Sequence, residues 1–355
     1  MTRKANQPFV RNAWYIAAWS EEIESGLLAR TIMNQPIVIY RDADGNVGAL
    51  EDRCCHRGAP LTHGSVTDVG LQCGYHGLTF DTKGNCVDIP GQKNIPAQAQ
   101  VRHFPLVERH QILWIWMGDP ALADESQIVD YSFHDDTEKW PHRKAMFQIK
   151  SNYMLMIDNL MDLTHLGFVH GRTIGGNPLQ HVGADMDSHK TEKGAYFIRW
   201  MLEHDPPPTY QKGGKFPGKV DRWQEFEYVG PSVVLQWSGA VSVGKGAQQN
   251  REQDGFHLRL LHAATPETET TFHYFWSAAN GYRQDDPAAT QEMYDEIYPT
   301  FIEDKVIMEA QQERINLNPD RDLVEIHADS VLALARLSLD ELVEQDNQMM
   351  AQAAE

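Results

Sequence analysis

Four residues in one short segment have the types and spacing of metal ligands: Cys54, His56, Cys73 and His76, in "CCHRGAPLTHGSVTDVGLQCGYHG". Reduced to donors, the pattern is C-x-H, 16 residues, then C-x-x-H. Each half puts one thiolate and one imidazole on a tight loop, so two facing loops can hold one zinc ion or a two-iron cluster. Zinc sites usually pair Cys with Cys and His with His; here each half is mixed. A 2Fe-2S centre with two cysteines on one iron and two histidines on the other takes one ligand per iron from each loop, which explains the mixture. A second group lies in "DNLMDLTHLGFVH", Asp158 to His170. Two acids and two histidines are rare in an apolar stretch unless something pairs them. Two histidines and one carboxylate can hold a metal on one face and leave its other positions open for O2. His165 and His170 are five residues apart, about 140° on a regular helix, so one ion cannot take both unless the helix is distorted, and Gly167 is the expected place. Asp162 and His165 are three apart and share a face. By itself H-x4-H fits a buried helix with paired polar side chains; the cysteine pattern upstream favours metal.

The elements that must position these groups show in turn signals and periodicity. Residues 1 to about 118 are β-rich: "QPIVIYRD" is a strand before the turn "ADGN", "GLTFDTKGNCVDIP" two short strands around "TKGN", and "QILWIWMGD" an apolar strand. "PALADESQ" leads into a second region. There Ser151 to Val169 is expected to be helical. "VDRWQEFEYVGPSVVLQWSGAVSVG" and "FHLRLLHAATPETETTFHYFWSAA" read as strands, the second turning at "TPETE". "DDPAATQEMYDEIYPTFIEDKVIMEAQQERI" is a long helix with an Asp-Pro start, and "SVLALARLSLDELVEQDNQMMAQAAE" another. "DPPPTYQKGGKFPGK" and "GKGAQQNREQDG" read as polar loops, long enough to carry function.

The 355 residues suffice for two domains and a large core. With 31 basic and 50 acidic residues the net charge is -19, which argues against nucleic acid as a partner and serves solubility. No apolar run approaches the roughly 18 residues of a membrane span. "MTRKANQPFVRNAWYIAAW" lacks the apolar core and cleavage site of a signal peptide, so a cytoplasmic protein with no membrane partner is expected. The cysteines are Cys54, Cys55, Cys73 and Cys86. A disulfide framework would be spread along the chain, so their clustering points to metal.

"C-x-H-R-x-A-P-L" and "C-x-Y-H-G-L-x-F" resemble the Rieske domain of aromatic-ring oxygenases, and "D-x-x-H-x-x-x-x-H" is how that family presents two iron-binding histidines. High-potential respiratory Rieske proteins carry an extra cysteine pair, where this chain has Ala59 and Tyr75, and a serine where it has Leu78, so a lower-potential, NADH-fed cluster is implied. Cys55, often proline in the family, is expected to be a small buried residue or an oxidisable thiol beside the cluster. Cys86 is expected to pack on a strand. The implied fold is α+β: an all-β Rieske 2Fe-2S domain over residues 1–118, then a catalytic domain over residues 119–355 with an antiparallel sheet flanked by helices and a mononuclear non-heme iron. On this resemblance the iron ligands are His165, His170 and a carboxylate from a later helix, in a segment like "IEDK", which picks Asp304 over Glu303.

The same resemblance gives Asp162 another role. In trimeric members, the cluster of one chain lies near the iron of the next, and an aspartate bridges a cluster histidine to an iron-ligand histidine. The matching residues are His76 of one subunit and Asp162 and His165 of the next. A carboxylate can accept ring N–H bonds from two imidazoles and orient both. Asn159 is a candidate support for the ligands or a packing residue, and Asp158 is expected to make a local hydrogen bond or salt bridge. "FVRNAWYIAAW", "WIWMGDPALAD", "IDNLMDLTH" and "EDK" fit the subgroup with dicamba monooxygenase, vanillate O-demethylase and toluenesulfonate methyl-monooxygenase. That implies a homotrimeric terminal oxygenase, fed by a flavin/2Fe-2S reductase, which hydroxylates a methyl or methoxy carbon of a small aromatic carboxylate or sulfonate. Gln236 and His262 match positions that hold the substrate carboxylate in the dicamba enzyme, Gln236 replacing asparagine. A ring cis-dihydroxylating dioxygenase would use the same metals. A Rieske electron carrier would leave His165, His170 and the second half of the chain without a task.

Overall fold

Aromatic and aliphatic residues in "WYIAAW" and "ILWIW" build the first sheet, and every residue of these two strands is buried. The computed structural model describes residues 9–24, 26–251 and 255–353. Its contacts divide at Asp130/Tyr131 into two units. The expected boundary at 118/119 falls earlier, because the turns after Gly118 stay with the first unit: Trp14 Nε1 donates to the Asp124 carbonyl and Arg109 pairs with Glu125.

The first unit holds β1 (Trp14–Trp19), β2 (Leu28–Ile32), β3 (Gln35–Arg41), β4 (Val47–Glu51), β5 (Ser65–Thr67), β6 (Gly70–Gln72), β7 (Thr79–Phe80), β8 (Cys86–Asp88), β9 (Leu106–Arg109) and β10 (Ile112–Trp116). They form antiparallel sheets ordered β1-β10-β9, β2-β3-β4 and β5-β6-β7-β8. The expected strands and the "TKGN" turn are present.

The second unit runs β11 (His142–Ile149), α1 (Met154–Met161), α2 (Leu166–Val169), α3 (Pro178–Val182), β12 (Asp185–Lys190), β13 (Gly194–His204), α4 (Pro208–Gly214), β14 (Val220–Val229), β15 (Val233–Ser242), β16 (Phe256–Thr268), β17 (Thr271–Asn280), α5 (Pro287–Leu317) and α6 (Ser330–Ala353). Its seven-stranded antiparallel sheet is ordered β11-β17-β16-β15-β14-β13-β12. The α5 helix starts where Asp286 caps Ala288 N–H with Pro287 at its first position.

Three local expectations fail. The helix over 151–169 is two short helices and a 3-10 turn, broken at Asp162, whose backbone is extended (φ -130°, ψ 105°). Gly167 is not the break; a Cβ there would sit 2.3 Å from Pro178 Cα, so glycine lets α2 and α3 touch. The segment around 208–214, expected as loop, is α4, started by consecutive prolines. The "TPETE" turn narrows to Glu269–Thr270, because β16 continues through Pro266 with a bulge before Thr268. Of the loop "GKGAQQNREQDG", residues 252–254 lie outside the described residues, as do residues 1–8.

Asp158 on α1 forms two hydrogen bonds with Arg336 on α6, at 2.9 and 2.5 Å, both side chains largely buried. Leaving one charge of such a pair alone is costly, so Arg336→Met is expected to lower unfolding stability by about 3 kcal/mol. The double variant with Asp158→Asn should lose less, and urea titration of both measures the difference. No helix among the described residues is long and apolar enough to cross a membrane.

Candidate active site

The two Cys/His loops are near copies of one another. Cys54 N–H donates to the Ala59 carbonyl and Gly58 N–H to the Cys54 carbonyl; Cys73 N–H donates to the Leu78 carbonyl and Gly77 N–H to the Cys73 carbonyl. Each loop closes through a glycine in left-handed conformation, Gly58 at φ +69° and Gly77 at φ +77°. Cys54 and Cys73 are buried, while His56 and His76 are exposed with ring centroids 4.6 Å apart. Burial pushes the Cys54 thiol up to about 11; a backbone bond at His56 opposes this and Cys73 adds to it. Two such thiols side by side are poor company until a metal takes their protons. The donor set therefore fits a cluster with two buried thiolates and two outward imidazoles. Tyr75 lies against His76, centroids 3.9 Å apart. Cys55 is exposed, against the buried expectation, and Cys86 is buried on β8.

In the second unit His165, His170 and Asp304 converge, with donor atoms within 4.8 Å of one another. The break at Asp162 solves the angular problem: His165 ends a 3-10 turn, His170 follows α2, and their rings are 5.4 Å apart and nearly perpendicular. Asp304 enters from α5, its Oδ1 3.0 Å from His170 Nε2 and 3.7 Å from His165 Nε2. Both histidines keep Nε2 for the site, because Nδ1 is engaged elsewhere. His165 Nδ1 donates to the Asp162 carbonyl at 2.7 Å, and His170 Nδ1 to Glu303 Oε2 at 2.7 Å. Burial holds His165 below the usual histidine range. Burial pulls His170 down too, but Asp304 and Glu303 outweigh it and leave it raised. Two imidazole lone pairs and one buried carboxylate fit a divalent metal with open positions.

Three neighbours support this set. Asn159 Nδ2 donates to Asp304 Oδ1 at 3.0 Å, so it supports the carboxylate. Glu303, set aside as a ligand, orients His170 from behind; two adjacent acids on a helix point about 100° apart, so only one can enter the site. Glu303→Gln is expected to weaken Fe(II) affinity about 10- to 100-fold with the cluster absorbance unchanged, as chelator competition would measure. The carboxylate of Asp162 does not accept from His165 as expected. Its Oδ1 caps Thr164 N–H and Oγ1, both at 2.8 Å, and the main-chain carbonyl takes the His165 ring N–H.

Gln236 and His262 lie on the sheet face covered by the helices. His262 Nε2 meets Gln236 Oε1 at 2.8 Å, its Nδ1 meets the Tyr274 hydroxyl at 2.7 Å, and Gln236 Nε2 donates to Ser238 Oγ at 2.7 Å. Phe301, one turn before Asp304 on α5, packs edge-on against His262. Burial lowers His262 to about 3, so this end of the wall is neutral.

The fold and both donor sets define an iron-sulfur oxygenase with a second, mononuclear metal centre. The Rieske [2Fe-2S] domain family matches residues 13–105 and the vanillate O-demethylase oxygenase C-terminal domain matches residues 149–345, so the chain belongs to the Rieske oxygenases of the vanillate O-demethylase type. It is 40% identical over 342 residues, 96% of this chain and 98% of the relative, to the toluene-4-sulfonate monooxygenase system iron-sulfur subunit of Comamonas testosteroni. It is 33% identical to a vanillate O-demethylase oxygenase subunit of Pseudomonas sp., covering 94% of this chain and 95% of that one. The crystal structure of dicamba monooxygenase bound to 3,6-dichlorosalicylic acid superposes with a TM-score of 0.89 at 32% identity, covering 96% of this chain and 99% of that one. Another dicamba monooxygenase structure contains non-heme iron and dicamba.

Proposed function

We propose that this chain is the terminal oxygenase of a multicomponent monooxygenase acting on a small aromatic carboxylate or sulfonate. The observation that carries the reading is the convergence of His165, His170 and Asp304, with donor atoms within 4.8 Å of one another. Cys54, Cys73, His56 and His76 would hold a 2Fe-2S cluster, and His165, His170 and Asp304 a mononuclear Fe(II). Bound there, the two centres supply electrons and O2 activation. The balance is NADH, H+, O2 and a methyl-bearing arene giving NAD+, water and the hydroxylated carbon. Where that carbon is a methoxy group, the product separates into a phenol and formaldehyde.

The chain's own residues position the parts. Glu303 and the Asp162 carbonyl fix the tautomers of His170 and His165. Gln236 and His262 orient the substrate by neutral hydrogen bonds. Exposed His56 and His76 put the cluster edge where a flavin/2Fe-2S reductase can reach it. The same reading makes the enzyme a homotrimer in which Asp162 of one subunit meets His76 of the next. It belongs in the cytoplasm, where NADH is available.

Substrate-dependent O2 uptake with methyl- and methoxy-substituted benzoates and benzenesulfonates tests the reading. Oxygen-18 gas is expected to put one labelled atom into the product. Two labelled atoms would mean ring dihydroxylation, and two irons per chain instead of three would mean an electron carrier.

A further inference from the structure

His262 is buried and neutral, so its ring carries a single N–H. Whether that proton sits on Nε2 or on Nδ1 decides what the ring offers an anion: a donor, or a lone pair that repels it. The protein settles the matter through residues on either side of the ring. Tyr274 on β17, His262 on β16, and Gln236 and Ser238 on β15 form one line of hydrogen bonds across three neighbouring strands. The Tyr274 hydroxyl meets His262 Nδ1 at 2.7 Å, His262 Nε2 meets Gln236 Oε1 at 2.8 Å, and Gln236 Nε2 meets Ser238 Oγ at 2.7 Å.

Such a line can be protonated in two directions. In the first, Tyr274 donates to Nδ1, Nε2–H donates to Gln236, and the Gln236 amide donates to Ser238. In the second, the Gln236 amide is turned over and every bond runs the other way, so Nδ1–H donates to Tyr274. Both ends are buried, and neither makes another hydrogen bond among the described residues. Each direction therefore leaves one terminal hydroxyl proton unused, and the better donor takes the donating end. That is the phenol. Its oxygen shares a lone pair with the ring, so it donates strongly and accepts weakly, while the serine hydroxyl is the better acceptor. The first direction prevails, with the proton of His262 on Nε2.

Tyr274 is held firmly in that place. Its ring is inclined by 6° to that of His262, and Phe301 packs edge-on against both, with centroids 5.9 and 5.5 Å away. Gln236 is the one member of the line that is not fully buried, so it is the one free to swing aside. We infer that Tyr274 is a positioning residue that fixes His262 as an Nε2–H donor, and that Gln236 covers this donor until a carboxylate or sulfonate oxygen of the substrate takes its place. This rests on the proposed aromatic-anion substrate.

Titration calorimetry with 4-methylbenzenesulfonate on the metal-loaded enzyme tests the role. Tyr274→Phe keeps the ring and removes only the hydroxyl, and it should weaken binding about 3- to 10-fold. In a His262→Leu background, which has no tautomer to set, the same change should cost less than about 1.5-fold. An equal loss in both backgrounds would mean that Tyr274 acts through packing, and overturns the inference; so does unchanged affinity of the single variant. If the double variant does not fold, steady-state O2 uptake by Tyr274→Phe decides: KM should rise by the same factor while kcat holds. An unmoved KM, or a fall confined to kcat, overturns the inference. Wild type that binds neither the sulfonate nor 4-methylbenzoate refutes the substrate class itself. Wild type that binds them irrespective of Tyr274 refutes only the tautomer role.

Discussion

Asp304→Ala is expected to take the chain from three irons to two and turnover to below about 1%, while the visible absorbance of the Rieske cluster is retained. Asp304 is the one carboxylate among the three converging donors, and it is buried. Its Oδ1 also organises the site, because Asn159, His165 and His170 all point at it. The substitution therefore removes a ligand and the negative charge that offsets the metal, and leaves Asn159 without its acceptor. The cluster loops share no residue with this site, so their absorbance should not change. Iron analysis, absorbance and O2 uptake on one preparation decide the matter. A variant that keeps three irons and turns over would remove Asp304 from the ligand set and bring Glu303 forward.

Asp162→Asn is expected to leave both centres filled and slow NADH-driven turnover about 100-fold or more. Both bonds to Thr164 use Oδ1, which asparagine retains, and the bond to His165 uses the main-chain carbonyl. The substitution thus changes little besides the charge and Oδ2, which makes no hydrogen bond among the described residues. If that oxygen receives His76 of a neighbouring subunit, asparagine weakens a charge-assisted bond between the two centres. Reduction of the cluster by its reductase should stay normal, and its reoxidation in the presence of substrate and O2 should slow in stopped-flow records. Lost iron, or normal turnover, would refute this role.

The Cys/His pattern and the His165–His170 pair were legible because ligand chemistry constrains type and spacing together, whereas Asp304 came only from the family resemblance. Mixed Cys/His halves make sense for one cluster, and the structure shows why each half works: a glycine four residues after each cysteine closes the loop. The strands β14 to β17 and the helix α5 were legible from their apolar patterns and from Asp286-Pro287, whereas β11, β12 and β13 drew no reading. What stayed hidden depends on the third dimension. The break at Asp162 is a matter of backbone angles in a sequence that reads as continuous helix. Gly167 looked like a flexible point, but it answers to Pro178, a neighbour brought by folding. Glu303 looked like a surface acid on an acid-rich helix until His170 was placed behind it. Arg199 and Arg222 drew no reading from the sequence; the loop from Ile174 to His181 takes their hydrogen bonds and makes them internal.

The origin of the three converging donors has a thermodynamic consequence. Two come from the segment around α2 and the third from α5, so a bound ion cross-links stretches of chain separated by most of the sheet. Occupancy at 100 times the dissociation constant adds about 2.7 kcal/mol to the folded state, and that increment acts on the docking of α5. In an iron-starved cell that increment would be missing, so iron supply would bear on the enzyme's lifetime against proteolysis as well as on its rate.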